Sequence, residues 1–373
     1  MTRLTQLACR LLCLGLLLTV LHPAYAELVS DIYVAEVPVK GQGTEARTEA
    51  IREAFMQVMI KVTGNREVGK QSAARKLLSR APRYVQQYRY SLLKQTRDAA
   101  GRGVASADRL LWVKFDERAV NNLLRESGLA VWGGARPSTL IWIGLEEQGR
   151  RRLIQPELEP TLSQTLEQVA GQRGLPILLP LMDMEDRSSL QVSDVWGAFE
   201  EDVRRASDRY LPDAILVGRL RKRAARDWVA DWTLYQSDVT NNWQTRGANE
   251  TAVAGDGLQR TVDELAARYA PHAVTQGASN LRVRVVGLHN LADYILVKDY
   301  LQSLVMIEQL DLLTADPDRI SFLVRSQGRR DVLERGILLG GVLEPVVAAD
   351  AVVSAEATPA DQFDAESLEF RLR

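Results

Sequence analysis

The residues best placed to do chemistry form the acidic run Asp183-Met184-Glu185-Asp186-Arg187. It follows an apolar stretch, residues 175–181, whose length suits a β-strand. Two similar stretches, residues 139–145 and 214–220, lie on either side in sequence, and the intervals 159–174 and 195–210 can each hold a helix. Strand, helix, strand, helix, strand is the order of a parallel sheet with right-handed crossovers. Ligands of such sheets gather beyond the carboxyl ends of the strands. Glu146, Asp183, Asp186, Arg187 and Arg219 are therefore expected at one rim. Carboxylates there suit a divalent cation or carboxylate-dependent hydrolysis, and the two arginines suit an anion. The plain alternative is a solvated loop with local ion pairs.

A second charged feature is basic. Arg219, Arg221, Lys222, Arg223 and Arg226 crowd a turn, and Arg150-Arg151-Arg152 form a shorter run. Such turns engage anionic headgroups or a protein partner, or are simply solvated. Trp228 and Trp232 share one face of a strand, as a sugar-stacking platform or, more commonly, a core stripe would.

Other motifs fail on context. Gly64–Lys70 has the spacing of a phosphate loop, but Gln71 replaces the magnesium-binding hydroxyl and a helix precedes it where a strand is required. Ser91 and Lys94 stand at an S-x-x-K spacing within a strand, which points them to opposite faces. His272 and His289 belong to no zinc motif. No cofactor is expected.

Composition bounds the class. With 46% hydrophobic and 25% charged residues, 373 residues make two or three ordinary globular domains. A net charge of −1 argues against a nucleic-acid partner. Arg3 and Arg10 precede an apolar core at residues 11–21, and Ala24-Tyr25-Ala26 has the small-x-small cleavage pattern. These mark an export signal cleaved after Ala26, hence a periplasmic protein rather than a lipoprotein, with no later segment long enough to span a membrane. Cys9 and Cys13 both leave with the signal. The mature chain then has no disulfide or thiolate chemistry.

Three modules position these residues. Residues 27–135 open with a strand and a strongly periodic helix from Thr44 to the Gly64 cap. A broken helical stretch, two paired strands joined by a 101–103 loop, and a helix capped by Asp116 follow. Residues 136–275 hold the parallel βαβαβ core, two added antiparallel strands, and a helix entered through an Asp256/Gln259 capping box. Residues 280–373 read as a ferredoxin-like βαββαβ module whose last strand is 368–372, with a mobile loop at 345–366. The fold class is therefore α/β, in tandem small modules with a central mixed sheet.

YVAEVPVKGQGTEARTEAIREAFMQVMIKVTGN (33–65), LLWVKFDERAVNNLLRESGLAVWG (110–133), RPSTLIWI (136–143), GLPILLPLMDMEDR (174–187) and DAILVGRL (213–220) together resemble the proteobacterial exported family catalogued as domain of unknown function 2066. The middle module is also similar to small α/β domains of outer-membrane accessory proteins, by fold analogy alone. The resemblance implies a compartment and an architecture, and assigns no activity. The reading is a non-enzymatic envelope scaffold or adaptor with an envelope protein as partner, in which peripheral membrane contact is possible. The alternatives are a periplasmic binding module for a small anionic or sugar ligand and a carboxylate-dependent hydrolase.

Overall fold

Two arginines that carry no exposed charge hold the first two modules together. The computed structural model describes residues 30–92, 109–270, 279–326, 329–346 and 367–373. The export signal, Lys94, the 101–103 loop, His272 and all but the first two residues of the 345–366 loop lie outside the described residues.

The first module is an antiparallel sheet of β1 (Val34–Val39), β2 (Val85–Leu92) and β3 (Arg109–Phe115) in the order β1-β3-β2. Helix α1 (Thr44–Thr63) lays Ile51, Phe55, Val58, Met59 and Val62 on it and ends at Gly64, whose φ of 66° is left-handed. The expected stripe is thus the core face. The Gly64–Lys70 segment is the helix cap and a 3-10 turn. Helix α2 (Ser72–Leu77) passes into a 3-10 turn over Leu78–Tyr84 that contains Pro82. Asp116 caps α3 (Glu117–Glu126) by accepting from the Ala119 amide at 2.7 Å.

The middle sheet has the order β5-β4-β7-β8-β9, with the two-residue β6 (Ile177–Leu178) beside the start of β4. Strands β4 (Thr139–Glu147) and β7 (Ala214–Ala224) run parallel, from Thr139 against Ala214 to Glu146 against Arg221. Alternate residues of β4 enter different cores. Ile141, Ile143 and Leu145 meet α4 (Pro160–Arg173) and α8 (Glu250–Tyr269), while Leu140 and Trp142 meet the other crossover. That second crossover differs from the expected single helix over 195–210. It is three short helices, α5 (Met184–Ser189), α6 (Val192–Gly197) and α7 (Glu200–Ser207), because Asp183 and Gln191 start helices early and Ala198 turns left-handed at φ 55°.

The Arg150 run is β5 (Arg150–Leu153), hairpinned onto β4 with Arg151 paired to Glu146. Strands β8 (Asp227–Tyr235) and β9 (Thr240–Gly247) complete the sheet, and α8 starts at the Asn249 cap, not at Asp256. Within α8, Gly257 faces the fully buried Trp232, and a Cβ there would lie 2.1 Å from the indole. The tryptophan stripe is therefore core, wedged between sheet and helix, and no stacking platform.

The third sheet runs β11-β12-β10-β14-β13, built from β10 (Ser279–Val286), α9 (Leu291–Ser303), β11 (Ile307–Asp316), β12 (Arg319–Ser326), α10 (Arg330–Leu339), β13 (Leu343–Pro345) and β14 (Ser367–Leu372). The βαββαβ order holds through β13. The terminal strand departs from it by inserting between β10 and β13, parallel to β10.

The clasp joins modules one and two. Arg136 donates to the carbonyls of Gly133 (2.8 Å), Arg173 (2.8 Å), Gly174 (3.1 Å) and Lys61. Lys61 and Arg173 close α1 and α4, so the guanidinium meets the negative ends of two helix dipoles. It also stacks on Trp132 at 4.3 Å, and burial pulls its pKa down to about 9, leaving it charged at neutral pH. Arg173 donates to Gly64 O at 2.8 Å and Asp263 Oδ1 at 2.7 Å.

Arg136→Met would strand buried carbonyls at both helix ends. The expected loss is about 3–5 kcal/mol, read in urea unfolding, with the first module melting ahead of the second. A loss below about 1 kcal/mol and a single unchanged transition would show that the clasp does not couple them.

Candidate functional site

Asp186 is the organising residue of the expected site, and it does not lie in a loop. It sits in the first turn of α5, fully buried. A buried carboxylate is tolerable only when donors surround it. Three do here: the Met182 amide at 2.8 Å, the Tyr210 hydroxyl at 2.6 Å and Arg209 Nη1 at 3.1 Å. Asp183 caps the helix by accepting from the Asp186 amide at 3.0 Å. It also takes a two-pronged bond from Arg209, Nη1 at 2.9 Å and Nη2 at 3.0 Å. The bond from Arg209, followed by the helix amides, holds the Asp183 carboxyl down at about 2. Asp183 in turn raises the Arg209 guanidinium. Burial, and then donation to Asp186, pushes the Tyr210 phenol up to about 12.

The same network holds strained backbone. Met182 (φ 54°) and Leu211 (φ 47°) are both left-handed, and Leu211 precedes Pro212, where extended backbone is preferred. Each such residue costs about 1–3 kcal/mol. The Asp186 carboxylate fixes Met182, and the Tyr210 oxygen accepts from the Leu181 amide at 2.9 Å. What the distortion displays is apolar. Leu181 is 66% exposed, Met184 88% and Leu211 77%, each next to a residue of the network. Large aliphatic side chains left in water beside a rigid polar base are suited to contact another apolar surface.

The remaining expected residues do not join this cluster. Asp183 and Asp186 bond to residues that precede β7, whereas Glu146 and Arg221 face each other across the far halves of β4 and β7. Glu146 pairs with Arg151 at 2.6 Å. The Arg187 side chain is exposed and donates to Gln155 Oε1 at 3.4 Å. Arg219 is half-buried and donates to Thr233 Oγ1 at 3.4 Å. One shared rim is therefore not formed: β6 stops after two residues, and the chain turns away before reaching the level of Glu146. The basic turn is partly neutralised, with Arg221 on Asp231 and Lys222 on Glu147, while Arg223 and Arg226 are exposed. Among the described residues, no three or more His, Cys, Asp or Glu side chains gather as a metal-ligand group.

Arg209 and Tyr210, the partners that fix the acidic pair, were not among the expected residues. The signal that could have found them is Leu211-Pro212 directly before an apolar strand. A helix cannot continue into that pair, so Arg209 and Tyr210 must sit at a turn.

Tyr210→Phe removes the hydroxyl from both Asp186 and the Leu181 amide. It should cost about 1.5–3 kcal/mol in urea unfolding, and a loss under about 0.5 kcal/mol would exclude the network as a support. Acid should loosen the same place. Because the folded Asp183 value is depressed, its contribution is present above an unfolded value of about 3.9 and is lost as pH falls towards about 2. The Met184 methyl resonance should shift across that window and stay fixed between about pH 5 and 8.

Residues 26–133 match a family described as a domain of unknown function, DUF8605. The expected resemblance to domain of unknown function 2066 is thereby corrected: the matching family is a different one. The match covers the first sheet with its helices and assigns no activity. No curated protein matches the chain.

Proposed function

We propose that this chain is an exported adaptor of the cell envelope that binds another envelope protein through Leu181, Met184 and Leu211. The observation that carries the reading is the pairing of those exposed side chains with a buried, fully bonded Asp186 and two left-handed residues. Backbone strain concentrates where a surface has a task. A rigid base also lowers the ordering cost of docking, so apolar contact is not offset by loop freezing. Export rests on the amino-terminal pattern of Arg3, Arg10, an apolar core and Ala24-Tyr25-Ala26. No helix among the described residues is long and apolar enough to cross a membrane.

The basic turn supports the role less well. Arg221 and Lys222 are spent on carboxylates of the same sheet, and a partner would have to replace those pairs.

Placing a photo-reactive residue at Met184 in the full chain in living cells tests the proposal. One discrete adduct with an envelope protein is expected from position 184 and none from Leu291, which is 72% exposed on another module. Arg209→Glu should abolish the adduct, while changing Arg221, Lys222 and Arg223 together to Glu should leave it. Equal adducts from both positions, or none from 184, would overturn the reading.

A further inference from the structure

A cleft of about 970 Å³ lies elsewhere, between α3 of the first module and the turn from α9 into β11 of the third. It is at the upper end of the roughly 300–1,000 Å³ typical of small-ligand sites. No residue of the Asp186 network lines it.

Its floor carries an unspent donor. Asn121 is 5% exposed and accepts the Tyr33 hydroxyl on Oδ1 at 3.0 Å. Its amide NH2 group makes no hydrogen bond among the described residues, although Asn121 lines the cleft. Interchanging the amide's oxygen and nitrogen would still leave one end unpaired. Burial, the largest effect on Tyr33, raises its phenol well above the ordinary range, so it remains a neutral hydroxyl with free lone pairs. A side-chain amide beside a neutral hydroxyl, both nearly buried, offers two N–H donors and a hydroxyl acceptor to a ligand.

The wall continues this alternation. Glu117, Asn121 and Arg125 are four residues apart on α3, and so are Arg118, Asn122 and Glu126, which puts them in two adjacent stripes. Gln302 and Glu308 face them. The cleft thus sets two guanidiniums against three carboxylates, a balance that does not favour an anion. Mixed amides, carboxylates and guanidiniums at close spacing are what a ligand with many hydroxyls uses, since each hydroxyl donates once and accepts twice.

The two walls are fixed to each other. Arg125 donates to the Val305 carbonyl across the junction and to Asn122 Oδ1 at 3.3 Å. The Val305 side chain packs so close to Gly133 that a Cβ there would fall 2.3 Å from it. The cleft is therefore formed before a ligand arrives, and little ordering cost opposes binding.

We infer that this cleft binds a neutral, hydroxyl-rich ligand, a short saccharide, through Asn121 and Tyr33 at its floor and the α3 stripes on its wall. The inference stands apart from the adaptor reading, because Asn121 and Met184 lie in different modules and are tested separately.

Saturation-transfer NMR and calorimetry on the full chain with maltose, cellobiose and N,N′-diacetylchitobiose test it. At least one should bind, and Asn121→Leu should weaken it by about tenfold or more with the urea midpoint checked alongside. Glu126→Ala, an exposed change that leaves the core untouched, should weaken it by about threefold and keeps the test open if the first variant unfolds. Failure of all three sugars to bind overturns the inference. So does binding unaffected by both variants, or tighter binding of L-glutamate or inorganic phosphate.

Discussion

Everything else in this structure hangs on a solvation problem solved by Arg136. A guanidinium removed from water needs every donor paired and its charge offset. No carboxylate supplies that offset. The carbonyls that end α1 and α4 do, together with the face of Trp132. Helix ends carry unsatisfied carbonyls that need donors in any case, so one residue settles the needs of two helices from different modules. Arg173 repeats the arrangement from the other side, anchoring Gly64 to Asp263 of α8. Removing Arg136 would leave two buried helix ends without partners, and removing Arg173 would strand the Gly64 carbonyl at the end of α1, which is why the junction behaves as core and not as a linker.

With that junction fixed, the middle sheet can be wound on both faces. One face receives α4 and α8 and a conventional apolar core with Trp232 at its centre. The other receives three short helices in place of one long one. A single helix over that interval would have carried Arg209 and Tyr210 on one continuous cylinder. Breaking it lets Tyr210 turn in against Trp142, at a centroid distance of 6.4 Å, and donate to Asp186. The buried carboxylate and the broken crossover are therefore the same feature, seen once as chemistry and once as topology.

Much of this was legible in the residues. The α1 stripe, the Asp116 cap, the β4 and β7 runs and the α4 crossover follow from periodicity and capping chemistry, which are local. What failed was non-local. Asp256 and Gln259 have the spacing of a capping box, yet Asn249 lies seven residues earlier and caps a helix that tertiary packing extends through Gly255 and Gly257. Residues 175–181 look like a full strand, but Pro176 and Pro180 each lack an amide, and only two residues pair. That shortening moved Asp183 and Asp186 off the expected rim. The site was thus half legible: the acidic pair was visible, and its partners Arg209 and Tyr210 depended on where a strand stopped.

The same reasoning explains why the charged residues that look most functional are the least available. Residues Arg150 to Arg152 and Arg221 to Arg223 form the densest basic runs in the chain, and four of these six side chains meet acids: Arg151 with Glu146, Arg152 with Glu159, Arg221 with Asp231, Lys222 with Glu147. Exposed pairs of this kind contribute at most about 1 kcal/mol each. Their consequence is to weaken the local field at those four positions, while Arg223 and Arg226 stay exposed. Trp132, Gly133 and Arg136 lead directly from the first module into the second, and Gly133 is also the point on which Val305 of the third module rests. A chain segment pinned at three successive contacts cannot act as a hinge. It fixes α3 relative to the α9–β11 turn, and the cleft between them keeps its shape whether or not it is filled.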